Sequence, residues 1–468
     1  MTPHGLRWSM PVLIGLLWGC ASPLDHHESD GHGLTDRLAL SGSTSPARLA
    51  ETSEHSLTAT SLPGDYVAYA LEHSPAVKAA RQRWTAAKAR VPQVSSLPDP
   101  KLGVGFFLDE LETRVGPQQA RVGVQQTLPW PWKLRDREDA AGRAAAAAWE
   151  DYRAARFHVA ERVVVALHDL AYLDASTRIA EANLALLSSF EELVRTRYRV
   201  GSGSHPELVR VQVELGQMEY RLEQLLSMRP SYVAELNSSL HRRANAPVPG
   251  LHPLPDLSLS ASIAELRDRA QRSNPNLKAL ERRVEEQRYL AEAAKKASIP
   301  DVTVGVDYLV TGEAPNSRIA ESGDDPILLS FGINLPIWRG RIDAGIREAT
   351  ARRLAVGYER SQQARELDVS IERLVFEHRD AIRRSELYLQ SLIPKAEESL
   401  EASRAAFRTG EISMLELLDA ERTLLEFELA AERARADRGK SLVRLQTLVG
   451  EPLTAIAIED ENEQDVQP

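Results

Sequence analysis

The chain has 468 residues, 26% of them charged, a net charge of −10 and a single cysteine, Cys20. One cysteine excludes an intramolecular disulfide or a CxxC zinc site. The acidic balance, with few aromatics and no basic patch among them, argues against nucleic acid as a partner.

At the N-terminus, Arg7 precedes an apolar stretch from Trp8 to Trp18, followed by Gly19-Cys20. A run this short reads as a signal peptide over residues 1–20, not as a membrane span. Leu17-Trp18-Gly19-Cys20 resembles a bacterial lipobox, in which Cys20 would be lipidated. Trp18 stands where a small residue is usual, so an incidental cysteine beside a plain cleavage site stays open. Residues 21–62 are rich in Ser, His, Asp, Gly and Thr and read as a flexible tether. Its His26, His27 and His32 suit a solvated linker as well as a metal.

From here the chain is written twice. Ser74-Pro75 and Asn274-Pro275 start helices, Leu128-Pro129 and Leu335-Pro336 close strands, and Gly201 and Gly410 sit at helix ends. These pairs are offset by 200, 207 and 209 residues. Repeat 1 occupies 63–246, a Pro-rich linker 247–261, repeat 2 262–450 and an acidic tail 451–468.

Each repeat predicts a β-hairpin, at 101–128 and 301–335. Leu102, Val104, Phe106 and Leu108 alternate with Lys101, Gly103 and Gly105. Arg121, Gly123, Gln125 and Thr127 oppose Val122, Val124 and Leu128. Val302 to Val310 and Ile327 to Leu335 alternate likewise. Period two gives each strand one apolar and one polar face. At about nine or ten residues the strands suit a tilted bilayer crossing. A soluble sheet would alternate in the same way. Four strands cannot close a membrane barrel alone, because open edges are forbidden in lipid. Copies would therefore have to share one.

Between Trp132 and Arg199 there is no proline and one glycine, Gly142, so a helix of roughly 100 Å is expected. The segment from Trp338 to Arg408 matches it but carries Pro394, which should kink the helix or displace a ladder bond. Glu207–Arg243, Ser262–Ser298, Asp65–Val94 and Met414–Val449 read as half-length helices, stacked in pairs against the long ones. Leu417, Leu418, Leu424, Leu425 and Leu429 fit a buried seam. Prolines mark every junction between helix and strand. Trp130, Trp132 and Trp338 sit where a barrel would meet lipid headgroups, or where a bend would pack on itself.

The repeat, the junction Leu128-Pro129-Trp130-Pro131-Trp132-Lys133-Leu134 and the segment Phe407 to Ala420 resemble the TolC-type outer-membrane factors, across nearly all of Asp65–Gly450. The resemblance implies a mainly α fold with a membrane β-barrel. It implies a homotrimer sharing twelve strands, with α-helical hairpins forming a periplasmic tunnel. It also implies a periplasmic adaptor (membrane fusion) protein and an inner-membrane pump of the RND type as partners, with outer-membrane lipid around the barrel. The function implied is a passive efflux duct, with no cofactor and no resident metal. The junction looks most like the heavy-metal branch; drug efflux and protein secretion share the fold. A coiled-coil scaffold without a pore is the alternative from another class.

The turns at 200–206 and 409–413 would form the periplasmic mouth. Gly201, Ser202, Gly203, Gly410, Glu411 and Ile412 fall at the adaptor-docking tips. Glu416 and Asp419 fall on the carboxylate ring of the family's closed entrance, and Glu207 on the acidic position of the other tip. Mutual repulsion in such a ring should raise their pKa values; ordinary exposed helix carboxylates are the alternative. The family's tyrosine and arginine at the mouth are replaced by Phe407 and Ile412, with Arg408 a candidate substitute cation. No Walker loop, GxSxG or HExxH is present, and an enzyme is not expected.

Overall fold

The computed structural model describes residues 57–58, 61–248, 254, 259, 261–315 and 320–453. Cys20, most of the tether and the tail beyond 453 lie outside the described residues.

Repeat 1 opens with α1 (Pro63–His73) and α2 (Pro75–Ser95), continues through β1 (Lys101–Thr113) and β2 (Gly116–Leu128), and ends with α3 (Pro131–Arg199) and α4 (His205–Ser239). Repeat 2 runs α5 (Ile263–Ser273), α6 (Pro275–Lys295), β3 (Val302–Thr311), β4 (Ile327–Ile333), α7 (Arg339–Leu387), α8 (Ile393–Thr409) and α9 (Met414–Val449). The run expected over Ser262–Ser298 is broken at Asn274, and its counterpart at Ser74. Each is followed by proline, which drives the preceding residue out of the helical region: ψ is 118° at Ser74 and 119° at Asn274. Their side chains then cap the next helix, Asn274 accepting from the Leu277 amide at 2.8 Å.

The α3 helix is 69 residues long, about 100 Å. Its Ala-rich first third has high helix propensity, Pro131 sits in the first turn where no donor is needed, and Arg197 and Arg199 lie at the negative end of the dipole. Helices α2 and α6 flank its first half, through Trp84 against Trp149 and Arg283 paired with Asp151. Helices α4 and α9 flank its second half, through Gln212 on Glu191 and Asn183 on Glu421.

The matching helix of repeat 2 is not continuous. A π turn, Tyr388–Leu392, separates α7 from α8 just before Pro394. Helix starts correspond at Trp130 and Trp338, the two N-caps, and helix ends at Arg199 and Arg408, so repeat 2 has one more residue between them. A single π turn absorbs one extra residue and tolerates the missing proline donor.

The core is a chain of three apolar clusters. Tyr66, Val163, Leu167, Leu170 and Leu236 form the first, joining α1, α3 and α4. Leu266, Leu367, Ile371 and Leu445 form the equivalent cluster of repeat 2. The third lies near the tips and holds Leu187, Phe190, Val194, Phe407, Leu417, Leu418 and Leu425, with Leu424 and Leu429 packed against it.

The strands form one antiparallel sheet in the order β1-β2-β3-β4. The first hairpin is longer than the alternation suggests, because the strands continue past an irregularity between Phe106 and Leu111. β4 stops at Ile333, short of Leu335. On the polar face Asp307 lies over Gly123, where a Cβ would sit 1.8 Å from its carboxylate, and pairs with Arg121 at 2.7 Å. On the other face Leu102, Phe106, Leu108, Ile327 and Phe331 stand open, Leu108 being 97% exposed. No helix among the described residues is long and apolar enough to cross a membrane. The extended apolar surface of this protein is therefore on the sheet.

Candidate functional site

The two tips are built alike. After α3, Gly201 takes φ +77°, and the amides of Ser202 and Gly203 return to the Arg197 carbonyl at 2.9 and 3.1 Å. After α8, Gly410 takes φ +83°, and the Glu411 amide returns to Ala406 at 2.9 Å. Positive φ at both positions favours glycine, which ends the helix without a Cβ clash. Ser204 and Ser413 then start the returning helices.

Both starts are capping boxes. The Glu207 carboxylate accepts from the Ser204 amide at 3.1 Å, and the Glu416 carboxylate from the Ser413 amide at 2.7 Å and its hydroxyl at 2.9 Å. The raised pKa expected for Glu416 belongs to a ring of carboxylates from several copies. Within the chain the direction is opposite: the Ser413 backbone amide, and then its hydroxyl, hold the carboxyl below the usual range. Asp419 is exposed one turn on, on the same helix face as Glu416. Glu416 and Asp419 thus share one open face, and Glu207 caps the other tip.

The cation that engages Phe407 is Arg197, not Arg408, which is exposed. Phe407 is 1% exposed, and the Arg197 guanidinium lies 4.7 Å from its ring centroid. Arg197 also donates to the Phe407 carbonyl at 2.8 Å and to the Ser202 carbonyl at 3.4 Å. One side chain therefore joins both tips.

Behind the tips the apolar seam is interrupted by Glu421, itself 1% exposed. Asn183 donates to it from α3, and Arg422 pairs with Glu214 of α4 beside it. Burial, foremost, raises the Glu421 pKa; the Asn183 hydrogen bond acts against this, and nearby Glu214 reinforces it. These pairs were not foreseen. A polar residue interrupting the leucine seam of α9 was their only signal.

At the opposite end, the β2–α3 corner grips the α6–β3 corner. The Trp130 indole donates to the Pro300 carbonyl at 2.7 Å, and buried Lys133 reaches the Ile299 carbonyl and the Asp301 carboxylate, the latter at 2.7 Å. Trp132 stacks on Trp130 with centroids 4.8 Å apart. Trp338, at the matching corner of repeat 2, is 70% exposed. No group of His, Cys, Asp or Glu among the described residues could hold a metal ion.

Two repeats of long helical hairpins, carrying a sheet with one open apolar face and one polar face that holds Arg121 and Asp307, are the architecture of an outer-membrane efflux protein. The chain belongs to the outer membrane efflux protein family, whose profile matches residues 67–240 and 266–451. No curated protein matches the chain significantly by sequence. Among solved structures, the outer membrane protein VceC of Vibrio cholerae is 20% identical, with a TM-score of 0.68 over 84% of this chain and 96% of its own. CusC, described in terms of folding and transmembrane channel formation, is 16% identical with a TM-score of 0.73, over 89% and 96%. The open-state MtrE outer membrane channel of Neisseria gonorrhoeae is 16% identical with a TM-score of 0.67, over 89% and 97%.

Proposed function

We propose that three copies assemble into one passive exit duct: a shared twelve-stranded barrel in the outer membrane, continued by an α-helical tunnel into the periplasm. The observation that carries this reading is the sheet. Among the described residues it has two unpaired edges and an uncovered apolar face. In lipid those edges must be closed, and four strands are too few to close on themselves. The polar face with Arg121 and Asp307 then lines the lumen, and Trp130, Trp132 and Trp338 lie at headgroup level. Cargo passes chemically unchanged, driven by a pump in the inner membrane through a periplasmic adaptor.

The adaptor seats on Gly201–Gly203 and Gly410–Ile412. Glu416 and Asp419, with Glu207 nearby, line the narrowest part and favour cations. Small toxic compounds and metal ions are the cargo classes this mouth suits. The assembly is tested by subunit mass in detergent and by conductance in planar bilayers; a monomer with no conductance would reject the duct. The cargo is tested by growth of a deletion strain across graded copper, silver, zinc, cobalt and nickel beside dyes, detergents and antibiotics. Sensitivity to metals alone assigns metal export, sensitivity to organic compounds alone assigns drug efflux, and no sensitivity favours protein secretion.

A further inference from the structure

The internal repeat displays, inside one chain, a contact that repeat 2 leaves unmade. Corner for corner, Trp338 corresponds to Trp130: each is the N-cap of its long helix, and each carbonyl receives the amides three and four residues on. Arg341 then corresponds to Lys133. On the other side, Leu97-Pro98-Asp99 corresponds to Ile299-Pro300-Asp301. The strand registers align the hairpins with Leu128 against Leu335, so the β4–α7 corner has one residue more between its strand and its N-cap than the β2–α3 corner, and the two corners correspond through their helix caps. Lys101 pairs with Gln125 in the first hairpin, and Thr303 pairs with Gly332 at the same place in the second.

In repeat 1 the corner has its partner within the chain, because β3 lies beside β2. In repeat 2 it has none among the described residues, where β4 is the sheet's edge. Trp338, Arg341 and Asp99 are all exposed, and neither Arg341 nor Asp99 makes an ion pair among the described residues. The Pro98 carbonyl receives one donor, Gln126, and a second lone pair remains open. The two half-sites carry opposite charge and complementary hydrogen-bonding groups. They lie at opposite edges of one sheet, so only another copy can bring them together.

We infer that the β4–α7 corner of one copy clamps the α2–β1 corner of the next, Arg341 pairing with Asp99 and the Trp338 indole donating to the Pro98 carbonyl. The clamp rests on the assembly proposed above and specifies its register. Carrying the β2–β3 pairing over to β4 and β1 sets Phe331 opposite Val104 and Leu329 opposite Phe106, as Val124 stands opposite Val306 and Val122 opposite Tyr308 within the chain. The arginine replaces a lysine and adds donors for both the carboxylate and the Leu97 carbonyl.

The test uses the full chain in detergent. Wild type is first sized by mass. Asp99→Arg and Arg341→Asp should each speed subunit dissociation by at least about thirtyfold, as truncating one partner of a desolvated pair does, and the double exchange should restore most of the loss. Independently, Val104→Cys with Phe331→Cys should form an intersubunit disulfide, whereas Phe106→Cys with Phe331→Cys, out of register, should not. An assembled wild type that ignores both charge reversals, or cross-links only in the shifted pair, overturns the clamp while leaving the assembly standing. A wild type that is monomeric removes both.

Discussion

Replacing Arg197 by alanine should loosen the second tip, although the residue belongs to the first. The side chain supplies a charged hydrogen bond to the Phe407 carbonyl, a weaker one to the Ser202 carbonyl, and a cation over a fully buried ring. A hydrogen bond from a charged group contributes about 1.5–3 kcal/mol, and a cation–π contact about 0.5–2 kcal/mol. Arg197 is half-buried, so the combined effect is discounted to roughly 2 kcal/mol, or about a thirtyfold shift in local opening. Hydrogen exchange over 405–416 reads this directly: uptake there should rise by about that factor, while Val163–Leu170 in the central core stays protected. Arg197→Lys should recover part of the loss, because it keeps the charge but not the fork. Arg408→Ala should do nothing. Unchanged exchange at 405–416 in Arg197→Ala would refute the view that this arginine joins the tips.

Glu421→Gln should stabilise the protein near neutral pH and flatten its pH dependence. The folded carboxyl pKa is raised, so the folded state holds the proton more tightly, and stability falls as pH climbs from the ordinary value of about 4.3 toward the raised one. Thermal melts at several pH values check the sign; a variant less stable at neutral pH would contradict it. Glu416→Ala with Asp419→Ala should raise single-channel conductance and weaken block by multivalent cations, whereas Ser413→Ala, which removes only the cap, should cost about 1 kcal/mol and leave block intact. Equal block in all three would remove the carboxylates from the pore. Deleting Gln390 from the π turn should leave melting nearly unchanged. Deleting Ala182 from α3 should not be tolerated, because it rotates Leu187, Phe190 and Val194 by about 100° off the seam; circular dichroism melts compare the two.

The helices were legible because proline and glycine punctuate them at their ends, and the strands because period two is hard to mistake over a full stave. The half-length helices were read through Ser74 and Asn274, which precede proline, and past Ser239, where α4 ends, to Arg243. The tips were legible as turns, since Gly201 and Gly410 need positive φ. Their chemistry was less so. Arg197 and Phe407 are 210 residues apart, and Trp130 and Pro300 170 apart, and no local pattern signals such pairs. Glu416 was visible as an acid near the second tip, but its service to Ser413, which lowers its pKa within the chain, depends on the capping geometry. Arg408 was the nearest cation in sequence to Phe407, while the one that binds it arrives from the other repeat.

The π turn at Tyr388–Leu392 acts as a vernier between the two halves of the chain. Without it, the extra residue would turn everything below by about 100° and carry Leu400 and Phe407 off the seam. With it, both ends of the long helical path keep the phase set by their neighbours, and the mismatch stays in one partly exposed turn beside Pro394. Duct length and seam phase are thereby separate variables in this fold. A lineage could lengthen one wall by a residue at this point without recutting the leucines above or below.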